Sequence, residues 1–179
     1  MIGMAERLMD LAEARIRDKG YAGFSFRDLA ADAGIKSASV HHHFPTKTKL
    51  AAAVAHRYAK RFLAAVEAKP DESPEDAIST YRAAVRKTIE HDGRMCLCGI
   101  LGAEAGALAP EVAAEVQSFF RRCIEDLANR VGGSDAIARA HHIIAALEGA
   151  MILARAYGDI GAFDQATSAL SPSTTQQAS

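Results

Sequence analysis

Three histidines stand together at His41, His42 and His43, inside the stretch SASVHHHF that runs from Ser37 to Phe44. Histidine is a common metal ligand and general base, so a run of three first suggests metal binding or acid–base chemistry. Geometry argues against both. Successive residues on a helix step by about 100°, so the three imidazoles diverge and cannot converge on one ion or substrate. His141 and His142 diverge in the same way. Cys96 and Cys98, two apart, lie on nearly opposite sides of a helix and cannot bridge without unwinding it. Exposed beside Arg94, either thiol would suit a redox- or electrophile-sensing role; buried, each is an ordinary small apolar side chain. Glu104 lies among apolar residues in MCLCGILGAEAGAL and needs a partner: an effector amine or hydroxyl, one of Arg121, Arg122 and His142, or solvent. The chain carries no GxSxG turn, Walker loop, HExxH or DxD motif. A small helical enzyme is therefore the remote reading, and no catalytic residue, metal or cofactor is expected.

The elements that must position these residues are helices. The 179 residues are 49% apolar, enough for a sizeable core, and runs of β-branched and aromatic residues are missing. Charge is divided unevenly. Met1–Lys60 holds ten Lys/Arg against six Asp/Glu, and the remainder eleven against sixteen. A basic front and an acidic back suggest that the front meets an anionic partner. Three cysteines without CxxC spacing, no signal-peptide core and no span expected to cross a membrane point to the cytoplasm.

Helix punctuation is legible along the chain. Leu8, Leu11, Ala12 and Ile16 fall at helical spacing over Glu6–Asp18, and Gly20 stops that helix. Ser25 and Asp28 form a capping box for a second helix, which Gly34 ends. Ser37 is expected to cap a third, closed by Phe44-Pro45, and Thr46 a fourth reaching about Lys69. Ser73, Pro74 and Asp76 start a fifth. Further helices are expected over about Met95–Leu108, from Pro110 to Gly132-Gly133, from a Ser134 cap to Tyr157, and over Ile160–Leu170. The polar end SPSTTQQAS, 171–179, reads as a disordered tail.

Two short helices joined by a glycine-containing turn form a helix-turn-helix signature. The stretch GYAGFSFRDLAADAGIKSASVHHHFPTKTKL resembles the DNA-binding domain of the TetR family of bacterial transcriptional regulators, strongly from Leu8 to about Val54. The resemblance implies an all-α fold of about nine helices. Residues 1–50 would form a three-helix DNA-binding domain and 51–170 a larger effector-binding and dimerisation domain. It implies a cytoplasmic homodimer on a pseudo-palindromic double-stranded DNA operator, acting as a repressor released by a small-molecule effector. A thiol-based regulator using Cys96/Cys98 is the alternative.

Residue by residue, Ser37, Ala38 and Ser39 match the positions that enter the major groove. His41, where relatives usually carry Tyr, and His42 match phosphate-contacting positions, and Lys47 matches the phosphate-binding lysine. Arg27 and Lys36 could reach a base or phosphate. Lys47 also stands out on physical grounds, because a helix N-terminus disfavours a cation unless an anion sits there too. The implied effector pocket draws on Tyr81, Val85, Cys96, Ile100, Glu104, Phe119, Phe120, His142 and Met151. Ala145, Gly149, Ile152 and Leu153, on a helix apolar almost all round, are the implied dimer contacts.

Overall fold

A computed structural model of the chain describes residues 3–170; the expected tail at 171–179 lies outside them. Among the described residues there are nine α-helices and no strand. They are α1 (Met4–Lys19), α2 (Phe26–Ala33), α3 (Ser37–His43), α4 (Lys47–Ala65), α5 (Pro74–Asp92), α6 (Leu97–Ala103), α7 (Pro110–Val131), α8 (Ala136–Tyr157) and α9 (Ile160–Ala166).

The helix boundaries follow local chemistry. Both capping boxes form: Ser25 Oγ accepts the Asp28 N–H at 3.2 Å, and Ser73 Oγ accepts that of Asp76 at 3.1 Å. Two expected caps are corrected. Ser37 is the first residue inside α3, with Lys36 ahead of it at the cap and no side-chain bond. Ser134 does not cap α8; Asp135 holds that place, also without a side-chain bond. α4 stops at Ala65 rather than near Lys69, and the Val66 carbonyl is taken instead by Arg130 Nη1 at 2.7 Å. α6 is shorter than expected at both ends. The buried Arg17 guanidinium takes the Met95 carbonyl at 2.8 Å, and Glu104 leaves helical geometry ahead of a 3-10 turn at Ala105–Ala107.

The helices group into two compact units. The first comprises the described chain up to Phe62 with Arg94–Phe120, so it takes in α1 to α3, most of α4, all of α6 and the first half of α7. Leu8, Ala12, Ile16, Leu29, Val40, Leu50 and Val54 form its fully buried centre. Arg15 grips Asp32 through two bonds of 2.6 and 3.0 Å, joining α1 to α2. Arg57 on α4 meets Glu6, Asp10 and Glu13 on α1, and Arg61 meets the buried Glu13 at 2.6 Å. The second unit comprises Leu63–Gly93 with the described chain from Arg121 onward. There Arg130 binds Glu72, Asp126 and the Val66 carbonyl, while the buried Tyr81 hydroxyl donates to Asp126 at 2.8 Å. Arg82 and Arg86 both bind Asp164, tying α9 to α5. The 50/51 position expected to separate two domains falls within α4.

α8 is, among the described residues, the one helix long and apolar enough to cross a membrane by length and composition, contrary to the sequence expectation that no span would qualify. Its only Asp, Glu, Lys or Arg residues are Arg139, Glu148 and Arg155, few enough to leave the helix apolar on average. Seven of its residues, among them Ile143, Leu147 and Met151, are buried, and α8 lies against α5 and α9.

Candidate nucleic-acid interface

α2, the turn and α3 are fixed as one piece by their own sequence. Gly34 takes φ 69 and ψ 33, a left-handed conformation that costs an L-residue about 1–2 kcal/mol. Its N–H bonds the Ala31 carbonyl at 3.2 Å, and the Ile35 N–H returns to Ala30 at 2.9 Å. The orphan carbonyls of α2 are thus satisfied within the turn. Leu29, Ala30 and Ala33 face Val40 across the angle between the helices, and all four are buried. This packing uses up one side of α3 and leaves the other free.

The free side carries the residues singled out from the sequence. Lys36, Ser37, Ala38, Ser39, His41 and His42 are all exposed, as is Arg27 on α2. Among the described residues the Ser37 and Ser39 side chains make no hydrogen bond to the rest of the unit. The His41 ring meets the Phe26 ring edge-on, with centroids 4.8 Å apart, which limits its swing while leaving it open to solvent. His42 and His43 meet edge to face at 5.5 Å, and both are exposed.

Lys47 opens α4, with Thr46 Oγ1 accepting the Lys49 N–H at 3.1 Å just before it. The Lys47 side chain is held. Its Nζ lies 4.6 Å from the centre of the Tyr21 ring and 4.5 Å from that of Phe24. Such contacts attract a cation through the negative ring faces. Partial burial lowers the Lys47 pKa, and the charges of Glu104 and Asp28 oppose that shift. The chemistry available is that of an anion-binding surface: hydroxyls, imidazoles, a guanidinium and a pre-placed ammonium beside two helix starts. It offers Ser hydroxyls and an Ala methyl to base edges, and no Asn or Gln on α3 for bidentate reading.

Sequence reasoning missed the residues that hold Lys47. Tyr21 and Phe24 lie three apart in GYAGF, a spacing that could have marked a pair, and their rings do meet at 6.4 Å. Glu104 could not have been assigned. Its Oε2 accepts the Tyr21 N–H at 2.7 Å, a partner 83 positions away and outside the alternatives raised from sequence.

The residues expected to line an effector pocket divide between the two units. Cys96, Ile100, Glu104, Phe119 and Phe120 belong to the first, and Tyr81, Val85, His142 and Met151 to the second. In the first, Phe119 lies 5.1 Å from Phe120 and 5.4 Å from Phe62, and a Cβ at Gly102 on α6 would meet the Phe120 ring at 3.5 Å, an ordinary contact. In the second, a hollow of about 420 Å³ is lined by Ile78, Arg139, His142, Ile143 and Leu170, among others. An open cleft of about 620 Å³, lined by Lys69, Asp71, Thr80 and Lys87 among others, contains none of the nine. Cys96 and Cys98 are both buried; Cys96 Sγ sits at the start of α6, 3.4 Å from the Gly99 N–H. Burial pushes the Cys123 thiol up to about 12. On α8, Ala145, Ile152 and Leu153 are exposed and Gly149 half-buried. Ile137 and Tyr157 extend that exposed apolar stripe.

Residues 8–54 match the family described as bacterial regulatory proteins, tetR family. A stretch of 44 residues is 43% identical to the HTH-type transcriptional regulator CymR of Pseudomonas putida; the match spans 25% of this chain and 22% of that protein. Whole-chain likeness comes from solved structures. A TetR transcriptional regulator from Legionella pneumophila is 28% identical with a TM-score of 0.87, covering 93% of this chain and 94% of its own. A TetR-family regulator from Agrobacterium tumefaciens has the same identity and coverage with a TM-score of 0.84. The matched segment takes in most of α1, the helix-turn-helix and Lys47, and the likeness in fold to these two TetR-family regulators runs nearly end to end.

Proposed function

We propose that this chain is a transcriptional regulator that binds a pseudo-palindromic DNA operator as a homodimer and represses until a small-molecule effector releases it. The observation that carries the reading is the exposed face of α3, Ser37 to Ser39, together with a Lys47 held in advance on the Tyr21 and Phe24 rings. Ser37, Ala38 and Ser39 enter the major groove; Lys47, His41 and His42 contact phosphates; Arg27 and Lys36 reach a base edge or phosphate at the flank. With little bidentate base reading available, affinity leans on phosphate contacts and DNA shape and falls steeply with salt. A homodimer is supported by the exposed apolar stripe on α8, where Ile152 is 58% exposed and Leu153 41%. Two-fold symmetry would then set two copies of α3 on successive half-sites.

Gel shifts on the DNA upstream of the protein's own gene test the reading, run at low and moderate salt for the wild type and Lys47→Ala. The expected result is a salt-sensitive shift that Lys47→Ala weakens. No shift at either salt concentration, or one indifferent to Lys47, would sink it.

A further inference from the structure

Glu104 ends α6, and its carboxylate reaches the loop that follows α1. Oε2 accepts the Tyr21 N–H at 2.7 Å. That N–H opens a three-residue 3-10 turn, Tyr21–Gly23, with no side-chain cap of its own. The approach depends on Gly20, which is buried with φ 76 and ψ −176; a Cβ there would lie 1.9 Å from Glu104 Oε1. The far end of Tyr21 is also tied, since its hydroxyl lies 3.4 Å from Thr48 Oγ1 on α4. The ring held between these two anchors is the one that carries Lys47 Nζ, together with the Phe24 ring. α6 in turn is fixed to α1 at its other end. Arg17 donates to the Met95 and Arg94 carbonyls at 2.8 and 3.3 Å, and Arg94 pairs with Asp18 at 2.9 Å.

We propose that Glu104 is a positioning residue for Lys47, acting through the Gly20–Tyr21 peptide to hold the aromatic seat from which Lys47 meets a DNA phosphate. The proposal rests on the reading of Lys47 as a phosphate contact. A lysine stem free in solvent samples many rotamers and must be ordered when it binds. Seated on two rings, Lys47 is ordered beforehand, and the seat stands only while the Tyr21 amide has its acceptor.

Two readouts test this, both on the full chain. In protein carrying ¹³C-lysine, ring currents from Tyr21 and Phe24 displace the Lys47 Cε protons upfield, a signal assigned by its loss in Lys47→Arg. Glu104→Ala is expected to return that signal toward the exposed-lysine position. Glu104→Gln, which keeps an oxygen for the Tyr21 N–H, should retain most of the displacement. Glu104→Asp, one methylene short, serves if the alanine variant fails to fold, and should release Lys47 likewise. The second readout is the slope of log K against log salt for operator binding. Losing one phosphate contact lowers its magnitude by about 0.9 per subunit. Glu104→Ala and Lys47→Ala should each produce that change, and the double variant no more. Unmoved Lys47 shifts in Glu104→Ala would overturn the proposal, as would a weaker affinity at unchanged slope that adds to the Lys47→Ala effect. If Lys47→Ala itself leaves the slope unchanged, the phosphate role of Lys47 fails and the proposal with it. The proton shifts in free protein still report separately whether Glu104 holds the seat.

Discussion

The contact between Gly20 and Glu104 makes a quantitative prediction about stability. Gly20→Ala perturbs two things at once. Its φ of 76 and ψ of −176 fall in a region essentially restricted to glycine, where a side chain costs about 1–3 kcal/mol. The new Cβ would also sit 1.9 Å from Glu104 Oε1 and 2.8 Å from its Cδ, so the carboxylate must withdraw. Withdrawal forfeits the bond to the Tyr21 N–H, and hydrogen bonds to charged groups contribute about 1.5–3 kcal/mol. The single variant should therefore lose roughly 2.5–6 kcal/mol. In a Glu104→Ala background the carboxylate and its bond are already gone, so Gly20→Ala should cost only the backbone strain, about 1–3 kcal/mol. The coupling between the two sites is then about 1.5–3 kcal/mol. Urea unfolding followed by circular dichroism, at one protein concentration for all four proteins, measures it. Gly34→Ala is the control. Gly34 also has positive φ, but an added Cβ meets nothing within 4 Å, so it should cost about 1–2 kcal/mol in either background. A Gly20–Glu104 coupling below about 0.5 kcal/mol, the scatter expected of independent sites, would refute the contact.

Two further predictions concern acid stability and assembly. The Arg86 hydrogen bond holds the Asp164 carboxyl below its ordinary range, and the Arg15 bond does the same for Asp32. A carboxylate depressed in the folded state adds stability that is complete above its unfolded value of about 3.9 and is lost as pH falls through the lower folded value. The urea midpoint should thus drop as pH falls below about 4, and Asp164→Asn should flatten that drop; an unchanged profile would count against the Asp164 network. On α8, Ile152→Asp would remove roughly 1.5–3 kcal/mol of apolar burial from each of two symmetry-related copies, weakening a dimer at least about a hundredfold. Sedimentation across a concentration series reads this, and an unaltered dimer would move the interface off that face.

Much of the fold was written locally. Ser25 with Asp28 and Ser73 with Asp76 cap helices because each partner is three residues away, and Gly34 ends α2 because its left-handed turn follows from one residue type. The exposed face of α3 was legible for the same reason, since Val40 takes the inward position and the serines and histidines fall on the other side. Even local reading erred by one position at two helix starts, where Lys36 rather than Ser37 and Asp135 rather than Ser134 precede the helix.

Sequence by itself determined the helices, the helix-turn-helix and the residues presented outward, because these depend on contacts within a few positions. Tertiary structure alone decided what holds them. Glu104 finds the amide of Tyr21, Arg17 the carbonyl of Met95, and Arg57 and Arg61 the acids of α1. Each of these bonds joins segments 44 to 83 residues apart. A buried charge takes whichever partner the packed helices bring within reach, and no spacing in the chain encodes that choice. The same physics set α6 in one compact unit with α1, so the helix ahead of Glu104 belongs structurally with the Lys47 site, whereas α5, which precedes it in sequence, belongs to the other unit.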